Sequence, residues 1–84
     1  MPVIRLSSEA EDDFAFLQKS EKKKVIKKIK TLEENELIGK PLTGKLKGLY
    51  SLRAWPYRII YQISSKGVFT IHKILHRKIV YKSL

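Results

Sequence analysis

Leu49-Tyr50-Ser51-Leu52-Arg53-Ala54-Trp55-Pro56-Tyr57-Arg58-Ile59-Ile60-Tyr61-Gln62-Ile63 is the stretch that decides the architecture. β-branched and aromatic residues dominate it, and Pro56, which cannot donate to a ladder, divides it in two. The reading is a strand over Leu49 to Trp55 and a second over Tyr57 to Ile63. Successive strand side chains point to opposite faces. Tyr57, Ile59, Tyr61 and Ile63 therefore share one face, and Arg58, Ile60 and Gln62 the other. Arg53 alternates with Ser51 and Trp55. Downstream, Ser64-Ser65-Lys66-Gly67 reads as a hairpin turn, with Gly67 able to supply a positive φ. Val68 to Leu75 is the third strand of this meander, and the tail from His76 to Leu84 is short and basic.

Upstream the pattern changes to helical. Residues 2–6, Pro-Val-Ile-Arg-Leu, read as a short first strand. Ser8-Glu9-Ala10-Glu11 fits a capping box, and Asp12 and Asp13 suit the first turn of a helix. Ala10, Phe14 and Leu17 recur at helical spacing. Ser20 reads as a second cap, followed by a helix from Glu21 to about Glu36 with Val25, Ile29 and Leu32 on one side. So little chain separates the two that an antiparallel helical hairpin is expected. Gly39-Lys40-Pro41 and Gly44 mark a loop before the strands. A strand, two helices and three or more strands imply an α+β fold. The helices should cover one face of a mainly antiparallel sheet, leaving the other open.

The chain of 84 residues fits a single domain over residues 1–84. It contains no cysteine, which excludes disulfides and cysteine-based zinc sites. No apolar run is long enough to span a bilayer, and the first residues lack a signal-peptide pattern, so a cytoplasmic location is the default. Lys and Arg number 18 against 8 Asp and Glu, a formal net charge of +10. All 8 acids lie at or before Glu36, balanced there by 8 basic residues, whereas residues 37–84 hold 10 basic residues and no acid. A one-signed segment repels itself unless a polyanion or an acidic partner neutralises it. Nucleic acid is the first candidate, an acidic protein the second, and an anionic membrane surface a weaker third.

Arg58 interrupts an apolar strand and must face a partner or a water-filled groove. Together with Arg53 it could present two planar forks that match phosphate oxygens. The plainer alternative pairs it with a helix carboxylate such as Glu9 or Asp13. His76-Arg77-Lys78 and Tyr81 form a second cluster, able to handle protons, hold an anion and stack on a base. A solvated tail is the plainer reading there. His72, expected on a face with Val68, Thr70 and Ile74, reads as a structural histidine. Lys40, Lys45 and Lys47 surround Gly44 and Gly48, but the spacing is not that of a Walker loop. The basic half has no carboxylates to hold a metal, and no cofactor is expected. Metal-free RNA cleavage fits these residue types, because the substrate's own 2′-hydroxyl is the nucleophile.

Gly39-Lys40-Pro41-Leu42, the run Gly44 to Arg53, Tyr57-Arg58-Ile59-Ile60-Tyr61, and His76-Arg77-Lys78 with Tyr81 together resemble the RelE/ParE superfamily of toxin–antitoxin toxins. The resemblance covers nearly the whole chain. It implies a microbial-ribonuclease-like α+β domain and a cognate acidic antitoxin that wraps the basic surface in a heteromeric assembly. RelE-like members cleave mRNA in the ribosomal A site, whereas ParE-like members poison DNA gyrase. Tyr81 matches a C-terminal tyrosine of the RelE-like branch, which makes an endoribonuclease the favoured reading. The alternatives are a gyrase inhibitor and a catalytically weak antitoxin-binding module. By the same resemblance Arg58 and Arg77 hold the phosphate, with Arg53, Lys45 and Lys78 as further RNA contacts and ribosomal RNA met through the basic surface. Alignment places Leu49 and Ser51 where the best-known branch has two lysines. Lys47, His76 and Tyr81 are then the candidates for the general base.

Overall fold

A computed structural model of the chain describes residues 3–34, 39–64 and 67–76. In chain order the elements are β1 (Val3–Leu6), α1 (Ser8–Ala15), α2 (Lys19–Glu34), β2 (Lys40–Pro41), β3 (Leu49–Ala54), β4 (Tyr57–Ile63) and β5 (Val68–His76), with a 3-10 turn at Gly44–Leu46. The strands form one sheet in the order β1-β5-β4-β3-β2. β2 to β5 pair antiparallel and β1 lies parallel to β5, with Ile4 beside Phe69 and Leu6 beside Ile71. This is the expected α+β arrangement of strand, two helices and a β-meander. β2 was not expected: two residues ending in a proline give no alternation to read, and Lys40 and Pro41 are recruited by pairing with Ser51 and Tyr50.

β4 lies at the centre of the sheet and its alternation sets the two faces. Ile59 and Tyr61 are buried towards the helices, in a core with Leu52, Ala54, Phe69, Ile71, Ala10, Val25 and Leu32. α1 packs on β5 and α2 on β3. The opposite face carries Arg58 and Gln62, and Ile60, flanked across the ladders by Ser51 and Lys73, is buried there too. Burying each of the large apolar side chains of that core, such as Val25, Leu32, Ile59 and Ile71, contributes about 1.5–3 kcal/mol, which is what holds the helices on the sheet. A bulge opposite Ile60 and Tyr61 shifts the phase of β5: Ile71 pairs with Tyr61 but Lys73 with Ile60, so His72 is the extra residue. Ile74 consequently returns to the core, not to the face of His72 as simple alternation suggests.

The first helix starts one residue earlier than its capping pattern suggests. Ser7, not Ser8, is the N-cap, its Oγ accepting from the Ala10 N–H at 3.1 Å. The physical reason is a second contract on the same hydroxyl, which donates to the His72 carbonyl at 2.8 Å. The Ser7 N–H also donates to the Ile71 carbonyl, and Asp13 Oδ2 accepts from the Ile74 N–H at 3.0 Å. β1 ends at Leu6, so Ser7 and Asp13 take over the hydrogen bonds that a longer neighbouring strand would have made to β5. Ser20 likewise lies inside α2 rather than capping it, since the helix begins at Lys19.

Tyr61 sits at the middle of the core, stacked on Tyr50 and Phe69 at ring-centre distances of 5.4 and 6.0 Å. Its hydroxyl accepts from the Gly39 N–H at 3.2 Å. Burial raises its pKa above the ordinary 10.0, opposed by that hydrogen bond. A Cβ on Gly39 would overlap the Tyr61 hydroxyl. Gly39→Ala is therefore expected to cost about 1–3 kcal/mol, as other overpacking changes do, lowering the urea midpoint at unchanged slope. Ser7→Ala removes a cap and a link to β5 together and should cost about 1–2 kcal/mol in the same measurement.

Candidate functional site

Arg53 and Arg58 are register partners on the outer face of the β3–β4 ladder. Side chains directly opposite on antiparallel strands have Cβ atoms about 4.5–5.5 Å apart, so both guanidinium groups project from nearly one place. They open into a groove of about 290 Å³ that Lys28, Lys40 and Ser51 also line. The Arg53 guanidinium lies over the Trp55 ring, 4.8 Å from its centre, which fixes the plane of that fork. Trp55 and Pro56 form the β3–β4 turn beside it.

Among the described residues no carboxylate lines this groove. The two acids that could have quenched Arg58 are committed elsewhere. Glu9 pairs with Lys73 at 3.8 Å, and Asp13 accepts from the Ile74 backbone. Among the described residues Arg58 has no ion-pair partner. Among the described residues four cations and no anion border this cavity, a lining that suits a polyanion, and two planar forks side by side match phosphate oxygens.

Other residues singled out by sequence fall elsewhere. Lys45 lies in the 3-10 turn and Lys47 closes it, and neither lines the groove. The reason is Gly48, whose φ of 97° turns the chain before β3 begins, so strand alternation does not reach back to Lys47. His76 pairs with Tyr57 and meets it edge-on at 5.5 Å. It borders a separate groove with Asp13, Phe16 and Leu17, on the helix side of the sheet and so on the face opposite Arg58. His72 is on the outer face, its Nε2 3.0 Å from Gln62 Oε1. Arg77, Lys78 and Tyr81 lie outside the described residues. Lys28 and Lys40 were missed as site residues. Lys28 is one of many lysines on α2 and nothing in the pattern distinguishes it. Lys40 is brought in by the unpredicted β2.

Comparison with known proteins places the chain. A family profile described as "ParE toxin of type II toxin-antitoxin system, parDE" matches residues 4–81. No curated protein sequence matches significantly. Among solved structures, the toxin–antitoxin complex RelBE2 from Mycobacterium tuberculosis superposes with a TM-score of 0.83 at 28% identity, covering 92% of this chain and 100% of that one. The YoeB–YefM complex from Staphylococcus aureus gives 0.76 at 21% identity, covering 90% of this chain and 97% of that one. The archaeal RelE–RelB complex from Pyrococcus horikoshii OT3 gives 0.72 at 24%, covering 90% and 94%. With a profile match over nearly its whole length and the same strand–helix–helix–meander fold, the chain belongs to the RelE/ParE superfamily of toxins of type II toxin–antitoxin systems.

Proposed function

We propose that this toxin is an endoribonuclease that cleaves mRNA, with the scissile phosphate held in the groove of Arg53 and Arg58. The observation that carries the reading is the opposed arginine pair in a groove that, among the described residues, no carboxylate lines. In the reaction the 2′-hydroxyl attacks the adjacent phosphorus and gives up its proton to a general base. The bond from phosphorus to the 5′-oxygen breaks, and that oxygen takes a proton from a general acid. The products are a 2′,3′-cyclic phosphate and a 5′-hydroxyl. Negative charge builds on the non-bridging oxygens in the transition state, where the two guanidinium groups hold it. Arginine stays protonated, so neither can be the base.

The proton carriers then come from elsewhere. β5 ends at His76, whose register partner Tyr57 precedes Arg58 in the chain. We assign Arg77 to the phosphate and Tyr81 to proton transfer or stacking on a base, in line with the RelE-like resemblance, and Lys78 to the RNA backbone. His76, turned to the other face, serves this chemistry only if its ring rotates about the strand end, and Tyr81 is our candidate for the base. The partner of the free toxin is an acidic antitoxin, whose carboxylates would occupy the same cations. Messenger RNA on the ribosome is the substrate.

A gyrase-poisoning reading competes because the matching family profile is that of the ParE toxins. It needs no proton donor. Arg58→Ala should lower mRNA cleavage about 10²–10³-fold, the usual cost of one transition-state donor, with an unchanged melting temperature. Tyr81→Phe should relieve growth arrest. Primer extension on translated mRNA beside a DNA supercoiling assay decides between the readings: a supercoiling defect without RNA ends contradicts ours. Binding of a single-stranded RNA should weaken with salt, and loss of either Arg53 or Arg58 should shallow the log–log slope by about 0.7 per lost phosphate contact.

A further inference from the structure

The outer face holds a second cavity, of about 430 Å³, bordered by Leu49, Gln62, His72, Lys73 and the start of α1 at Ser8 and Glu9. Gln62 is four residues along β4 from Arg58 on the same face, about 13 Å at the usual rise of a strand. The cavity exists because of the bulge in β5, which puts His72 and Lys73 on one face in succession.

Its chemistry differs from that of the arginine groove. Among the described residues its one cation is Lys73, already paired with Glu9 at 3.8 Å, so this lining offers a phosphate no advantage. Leu49, the register partner of Gln62, gives it an apolar wall. The polar feature is the Gln62–His72 pair, Nε2 to Oε1 at 3.0 Å. The amide oxygen only accepts, so in this arrangement the Nε2–H tautomer donates to it and the Gln62 NH₂ is left available as a donor. An apolar side chain, a lysine already paired and an amide donor suit a nucleobase better than a phosphate.

We propose that this cavity is a base subsite for a nucleotide flanking the one whose phosphate is cut. Gln62 donates to the keto oxygen of a guanine or uracil, and His72 is a positioning residue that holds the amide. The inference rests on the RNA-cleavage reading and extends it to sequence preference. The test is 5′-end sequencing of RNA from cells expressing the full-length toxin. For the wild type, guanine and uracil should be enriched at one fixed distance from the cut. Gln62→Leu keeps the size and removes the donor. It should reduce that enrichment about two- to tenfold, the reach of one neutral hydrogen bond, and leave base frequencies at every other position unchanged. His72→Ala should blur the same position, and His72→Asn, whose amide can still donate to Gln62, should restore it in part. Gln62 is exposed, so Gln62→Leu is expected to fold, and an unaltered melting curve checks this. Wild-type cutting without a keto preference at any fixed position, or a preference that survives Gln62→Leu, overturns the subsite while leaving the nuclease reading intact. Absence of any toxin-dependent RNA ends overturns both.

Discussion

Two arginines directly opposite on adjacent strands repel one another, and this protein places Arg53 and Arg58 so. The usual remedy is a nearby carboxylate. Here the chain contains no acid after Glu36, and Glu9 and Asp13 are engaged by Lys73 and the Ile74 backbone. Solvent and salt screen the pair in the free protein, and only an anion brought from outside relieves it fully. The site is thus mildly unfavourable when empty. That is the physical basis for expecting both a polyanionic substrate and an acidic inhibitor at one surface.

The rest of the fold serves to keep that face open. All the apolar residues of β4 other than Ile60 point to the helices, and the core with Tyr61 at its centre supplies the stability. α1 does more than cover the sheet. Ser7 and Asp13 complete the hydrogen bonding of β5 where β1 stops, which lets the bulge at His72 persist without orphaned backbone groups. The bulge in turn places His72 beside Gln62 and sends Ile74 back to the core. On the proposed reading stability and recognition fall on opposite sides of one sheet, and a substitution can be sorted by the face it occupies.

Much of this was legible in the sequence. The alternation in Tyr57–Ile63 put Arg58 and Gln62 on one face and the aromatic residues on the other, and Arg53 opposite Arg58 followed from the turn at Pro56. Other features were not read correctly, each for an identifiable physical reason. Ser7 and Ser8 are equivalent as caps by pattern, and only the bond to His72, 65 positions away, separates them. Lys47 was a candidate general base, but Gly48 turns the chain between it and β3. The bulge did leave a trace, since Phe69, Ile71 and Ile74 are spaced by two and then three, a break in strand periodicity. The groove lysines Lys28 and Lys40 depend on tertiary placement and carry no signal of their own.

The central claim is that RNA lies on the open face of the sheet, across the arginine pair. Mapping amide shifts while titrating a short RNA, with deoxyribose at each attacking position to block cleavage, tests it most directly. The account predicts changes centred on Ser51, Arg53, Arg58 and Gln62, with the buried faces of α1 and α2 silent. Changes confined to the helix side, around Phe16 and His76, would contradict it.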